Sequence, residues 1–193
     1  LLAVHEAGHG VAYGLLFGRA PQEIKINVAS FEGGYNSYEQ RKAWSRENLR
    51  DRICVSLAGR AAEQLVFGEQ ACTTGATQDF MQATAQAAQY VRHFAFGSRL
   101  SRTDVANDPN DNVNTDIAAT NPEIEALLEQ EHARALALLD AHTPALMAVV
   151  DALLRHGSIA PSELAGMLGL PDPVSGARGA ATGAYARLLA RLR

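Results

Sequence analysis

Residues 1–17 read Leu-Leu-Ala-Val-His-Glu-Ala-Gly-His-Gly-Val-Ala-Tyr-Gly-Leu-Leu-Phe. Leu1, Val4, Gly8, Val11 and Leu15 recur at spacings of three and four, which predicts a helix. Gly8, Gly10 and Gly14 would each weaken an isolated helix by about 1 kcal/mol relative to Ala. A helix that keeps them is expected to pack closely against an element that needs small residues at the contact. Inside it lies His5-Glu6-Ala7-Gly8-His9, an H-E-x-x-H motif. Residues four apart share a helical face, so both imidazoles can reach one metal ion. Glu6 stands one position off that face, where it reaches a water on the metal rather than the metal. Two neutral imidazoles and a carboxylate suit zinc and leave a fourth position open. Glu6 is then the candidate general base for a water that attacks a carbonyl.

Such a site needs a third ligand. No further His follows His9 before Phe17, so the metzincin extension is absent. His93 falls among apolar residues late in a predicted helix and reads as a core or boundary residue. His132 lies near Glu125, Glu129 and Glu131, on what reads as a solvated face. His142 and His156 fall at helix ends, where the macrodipole favours them. A carboxylate is left, and Glu63 and Asp79 are the candidates. Each has a plainer reading beside it. Glu63 is three residues from Arg60, as in a surface ion pair, and Asp79 sits in the first turn of a helix.

The remaining pattern is mainly helical. Ser45 is the expected N-cap of a helix that runs to Phe67 and stops at Gly68. Residues 69–76 read as a loop, and Thr77 as the cap of a helix that runs to Gly97. Residues 98–120, rich in Asp, Asn and Thr, read as a long loop. Asn121-Pro122-Glu123 opens a helix to Ala141 and Thr143-Pro144 opens another to Gly157, joined as an antiparallel hairpin. A last short helix is expected over 161–168. Alternation predicts strands over Glu23–Ala29 and Tyr35–Tyr38. The first is either an edge that pairs with an extended peptide or part of a supporting sheet.

At 193 residues, this organisation predicts one domain over 1–170 and a disordered or weakly helical tail over 171–193. A net charge of −4 argues against a nucleic-acid binder that works by bulk positive charge. Two cysteines, Cys54 and Cys72, give no disulfide framework and point to a reducing compartment; Cys72 reads as a small buried hydrophobe. No uncharged apolar run reaches the roughly 18 residues of a membrane span. The helical pattern starts at Leu1 with no Met and no cap, so the chain is expected to be cut from a longer protein or to lack its first residues.

Four stretches together carry a resemblance: His5 to His9, Leu-Ala-Gly-Arg-Ala-Ala-Glu-Gln-Leu-Val-Phe-Gly at 57–68, Thr-Thr-Gly-Ala-Thr-Gln-Asp at 73–79, and Ala83-Thr84. In this order and spacing they resemble the peptidase domain of the FtsH family, ATP-dependent and membrane-anchored zinc proteases. The resemblance covers about Leu1 to Leu168. It implies a mainly α, zincin-like peptidase fold with a small β element and a C-terminal helical hairpin. It implies zinc held by His5, His9 and Asp79, with Glu6 as base and Glu63 orienting a ligand His. It implies unfolded or tagged polypeptide substrates, and an ATPase module in the full-length protein or as a partner. It also implies a homo-hexamer at the cytoplasmic face of a membrane, this stretch itself being soluble.

The chain departs from the family at several points. Gly10 stands where the family usually has Ala, and 35–44 lacks the usual proline-and-acid loop. No Gly-rich phosphate loop ending in Gly-Lys-Ser/Thr is found. Two other classes stay open: a proteolytically silent member kept as an assembly or interaction module, and a zinc hydrolase acting on something smaller than a protein.

Overall fold

The computed structural model describes residues 1–26, 34–37, 44–100 and 118–171, with backbone alone at 34–37. The chain runs α1 (Leu2–Phe17), β1 (Glu23–Ile26), β2 (Gly34–Ser37), α2 (Arg46–Phe67), α3 (Thr77–Ala88), α4 (Asn121–Ala141), α5 (Thr143–His156), β3 (Ser158–Ile159) and α6 (Pro161–Met167). The fold is mainly α with a small sheet, as expected. The expected tail from residue 172 onward, most of the 98–120 loop and the outer ends of both predicted strands lie outside the described residues.

The helix α2 is the spine of the molecule. One face, with Cys54, Ala58, Ala61 and Ala62, joins a core built with α1, α4, α5 and the sheet. Its other face, with Leu49, Ile53 and Leu57, joins a second core with Ala83, Ala87, Tyr90, Ile124 and Leu127. Burying both faces is what holds a 22-residue helix whose own ends are exposed. Ser45 caps it as expected, its Oγ accepting from Asn48 N at 3.1 Å. Gly68 ends it at φ +83°, a conformation that favours glycine. The small residues of α1 find their partner here. A Cβ on Gly8 would lie 2.5 Å from the Ala58 carbonyl oxygen and 2.6 Å from Ala62 Cβ, so the two helices touch backbone to backbone.

Four expectations change. First, β1 is the central strand, in the order β2-β1-β3, with Ile24 opposite both Asn36 and Ile159. It is therefore no edge, and it supports the helices. Second, Thr77 does not cap α3: its Oγ1 donates to the Thr74 carbonyl at 2.6 Å, and Thr73 Oγ1 accepts from Gly75 N at 3.3 Å in the turn before. Third, the helix predicted to Gly97 leaves α geometry at Ala88 and continues as a π-helical turn over Gln89–His93. Phe94 N donates to the Gln89 carbonyl, five residues back, and Tyr90 stacks edge-on against Phe96 with centroids 5.5 Å apart. The wider turn buries Tyr90 and Val91 together. Fourth, α4 and α5 do not form an antiparallel hairpin; the chain turns through 84° between them. A single residue, His142, joins the helices, too short a link to reverse the direction. The α5 apolar face, Leu146, Val149 and Leu153, docks with α1 in the first core instead. Among the described residues no single helix is long and apolar enough to cross a membrane.

Candidate metal centre

The close approach of α1 to α2 puts His5, Glu6 and His9 inside the protein, at 8%, 5% and 6% exposure. Each imidazole is held through its Nδ1. His5 Nδ1 donates to Glu63 Oε1 at 2.8 Å, and His9 Nδ1 donates to the Val55 carbonyl at 2.7 Å. In the neutral rings those bonds place the proton on Nδ1 and leave the Nε2 lone pair bare. The two Nε2 atoms lie 3.1 Å apart. Asp79, in the first turn of α3, brings Oδ2 to 2.9 Å from His5 Nε2 and 3.4 Å from His9 Nε2.

Three acceptors thus converge with no proton to spare between them, unless a ring is protonated or a cation is bound. A tetrahedral ion with bonds of about 2.0–2.1 Å has ligands about 3.3–3.4 Å apart. The three separations fall close to that edge length, so the donor set fits such an ion in both chemistry and size. Among the described residues it is the one group of three His, Cys, Asp or Glu side chains close enough to hold a metal. The same convergence shifts the ionisation of His5 and Asp79. Burial alone would lower the His5 pKa, but the Asp79 hydrogen bond and charge, the Glu63 bond and the Glu6 charge outweigh it and raise it above 6.5. Burial alone would raise Asp79, yet the bonds from His5 and His9 bring it well below the usual carboxylate range.

The structure therefore brings His5, His9 and Asp79 together, with Glu6 beside them. Glu63 is 1% exposed and gives its Oε1 to His5, so it is not a surface partner of Arg60. Cys72 is partly exposed, its thiol donating to the Gly68 carbonyl at 3.7 Å, and it stays out of the cluster. His132 is not on a solvated face: its Nε2 is buried without a hydrogen-bond partner among the described residues. Burial and the charge of Arg60 lower its pKa, against Glu69.

Sequence reasoning missed two supports, the Val55 carbonyl and Gly59. A Cβ on Gly59 would lie 2.5 Å from His9 Nε2 and 2.6 Å from His5 Cε1, so both rings rest on bare backbone. The available signal was a glycine inside a long helical pattern, one turn before a buried glutamate.

An H-E-x-x-H pair on one helix, met by an aspartate from another, is a donor set that could hold a metal ion. The family model of Peptidase family M41 matches residues 1–167, and the chain belongs to that family. It is 34% identical to "ATP-dependent zinc metalloprotease FtsH 2" of Sphaerobacter thermophilus, over 89% of this chain and 27% of that protein. It is 30% identical to "ATP-dependent zinc metalloprotease FtsH 3" of Synechocystis, over 87% of this chain and 30% of that protein. It is also 30% identical to "ATP-dependent zinc metalloprotease YME1 homolog" of Schizosaccharomyces pombe, over 85% and 24%. The chain thus spans about a quarter to a third of the length of these relatives.

Proposed function

We propose that this chain is a zinc-dependent endopeptidase, the protease part of an FtsH-type ATP-dependent protease. His5, His9 and Asp79 hold the zinc, and Glu6 is the general base. The observation that carries this reading is the convergence of two bare Nε2 atoms and Asp79 Oδ2 while both Nδ1 protons are bonded elsewhere. The names of the relatives supply the metal, since each is a zinc metalloprotease. Bound zinc would supply a Lewis acid that polarises a scissile carbonyl and acidifies a water.

The chain's own residues do the rest. Glu63 and the Val55 carbonyl orient the rings and fix their tautomers. Glu6 is buried within electrostatic reach of His5, in a site of low dielectric. It takes a proton from the attacking water and returns it to the leaving amine. The substrates are unfolded or tagged polypeptides. In the full-length protein, an ATPase module delivers them to a homo-hexamer at the cytoplasmic face of a membrane.

The test is zinc content and casein cleavage, side by side, for the wild type and Glu6→Gln. One zinc per chain in both, with cleavage lost in the variant, is the expected result. Zinc without cleavage in the wild type leaves two options, a missing ATPase partner or a silent assembly module. No zinc after growth in zinc-sufficient medium overturns the metal centre and the mechanism with it.

A further inference from the structure

Asp79 is reached through a segment with little regular structure of its own. After α2 ends at Gly68, the chain passes through two short 3-10 turns, Glu69–Ala71 and Thr74–Ala76, before α3 begins. Most hydrogen bonds of this segment run within it or to the end of α2: Gly68 N to the Gln64 carbonyl, Ala71 N to Gly68, Cys72 N to Glu69, Gly75 N to Thr73 Oγ1. Thr73 is different. Its N–H donates to Glu63 Oε2 at 3.2 Å, and its carbonyl accepts from Arg60 Nη1 at 3.4 Å. Arg60 and Glu63 are three residues apart on α2, so they share a helical face. One residue of the segment is gripped at both its N–H and its carbonyl by that face.

The grip also reaches the metal centre. The other oxygen of Glu63 accepts from His5 Nδ1. A chain of contacts therefore runs from a ligand on α1, through Glu63, to the backbone six residues ahead of the ligand on α3. The body of α3 is held separately, through buried Ala83 and Ala87 and the bond from Ser56 Oγ to Gln86 Oε1 at 3.3 Å. Those contacts lie beyond Asp79 in the chain and Thr73 lies before it, so Asp79 sits between two anchors.

We infer that Arg60 and Glu63 are positioning residues that clamp the backbone of Thr73 and thereby set the third ligand, Asp79, against the two histidines. The inference rests on the proposed metal centre. For Arg60 it makes a prediction whose sign separates it from simple electrostatics. Removing a cation near a bound dication should strengthen metal binding. Removing a clamp that presents a ligand should weaken it, by about tenfold or more.

The experiment measures zinc affinity by competition with a chromophoric chelator, for the wild type, Arg60→Met and Arg60→Lys. Arg60 is half-buried, and Met keeps the aliphatic stem while losing the donor. Arg60→Met is expected to bind zinc about tenfold more weakly, and Arg60→Lys to recover most of the loss, because it restores an N–H donor. Thermal melts of the metal-free proteins check that the fold is kept. If Arg60→Met perturbs the fold, Thr73→Pro, which removes the N–H given to Glu63, is read in its place. Equal or tighter zinc binding in Arg60→Met, with the wild type binding normally, overturns the clamp alone. A wild type that binds no zinc overturns the metal centre instead.

Discussion

The Cα of Gly59 faces His9 so closely that a single added methyl would meet the ring: its position is 2.5 Å from Nε2, and 2.7 Å from His5 Nε2. The Nε2 edges of both imidazoles therefore lie against the α2 backbone at Gly59. Gly59→Ala is expected to keep the helical fold, since Ala is favoured over Gly in a helix by about 1 kcal/mol. It is expected to displace both rings and cut zinc affinity by at least tenfold, because a ligand atom cannot yield without leaving the metal. Gly8→Ala is the contrast. Its methyl meets the Ala58 carbonyl and Ala62 rather than the rings, so it should lower stability by about 1–3 kcal/mol through overpacking. Circular dichroism melts and zinc titration of the two variants check both statements. Gly59→Ala binding zinc like the wild type would show that the rings have room the geometry denies them.

The raised pKa of His5 gives a pH dependence whose sign depends on the metal. In metal-free protein, the protonated ring is stabilised by Asp79 and Glu63. That contribution is complete below the unfolded value near 6.5 and is lost as pH rises through the higher folded value. Asp79, held low by the same pair, adds the acid limit: its share is present above about 3.8 and is lost as pH falls towards its folded value. These are two views of one interaction and count once. Zinc reverses the alkaline side, because it needs the neutral ring. The rise in melting temperature on adding zinc should therefore grow between pH 5.5 and 8, with proton release on binding. Calorimetric titration in two buffers of different ionisation enthalpy measures that release. A zinc shift that stays constant across this range would contradict it.

How far the site could be read in advance follows from sequence distance. His5, Glu6 and His9 are one helical turn of one helix, so spacing alone places them. Asp79 meets His5 across more than 70 residues, and in its own turn it looks like any first-turn helix acid. Only the resemblance singled it out. Glu63 is likewise 58 residues from His5, and its surface reading was as reasonable locally as its buried one. The same limit explains the misread elements. The central position of β1 depends on β3, whose two residues, Ser158 and Ile159, are too few to show any alternation. The corner between α4 and α5 depends on where α1 receives Leu146 and Leu153, which no local signal near His142 reveals. The π turn at Gln89–His93 depends on Tyr90 finding Phe96 and the second core.

The two thiols should differ sharply in reactivity. Cys54 is 0% exposed and its pKa is pushed up to about 12, first by burial, with Glu131 and Asp51 adding to it against Arg134. The thiolate is the reactive form, so Cys54 should be silent at pH 8. Cys72 is partly exposed on the segment between α2 and α3. One equivalent of thiol should react quickly with Ellman's reagent in native protein, and the second only on unfolding in guanidinium. Fast reaction of both would mean that α2 opens at Cys54 on the timescale of labelling.

Among the described residues, Glu131 is the most deeply buried charge outside the candidate metal centre. It is 0% exposed, and it accepts from Arg50 Nε at 2.5 Å and from Arg134 Nη1 at 3.1 Å. Arg134 in turn donates Nη2 to buried Asp51 at 2.7 Å, so α2 and α4 are joined by a four-residue charge network. Removing one partner of a fully buried pair costs about 3–5 kcal/mol. Here the arginine side chains are 39% and 40% exposed, and water can take over part of their solvation. Glu131→Ala should therefore cost less, about 2–3 kcal/mol. For a domain of this size that lowers the melting temperature by roughly 5–10 °C. Glu131→Gln keeps an acceptor in place and should recover about half of the loss, since hydrogen bonds to a charged group are roughly twice as strong as neutral ones. An Ala variant that melts within a degree of the wild type would place the stability of the α2–α4 interface wholly in its apolar contacts.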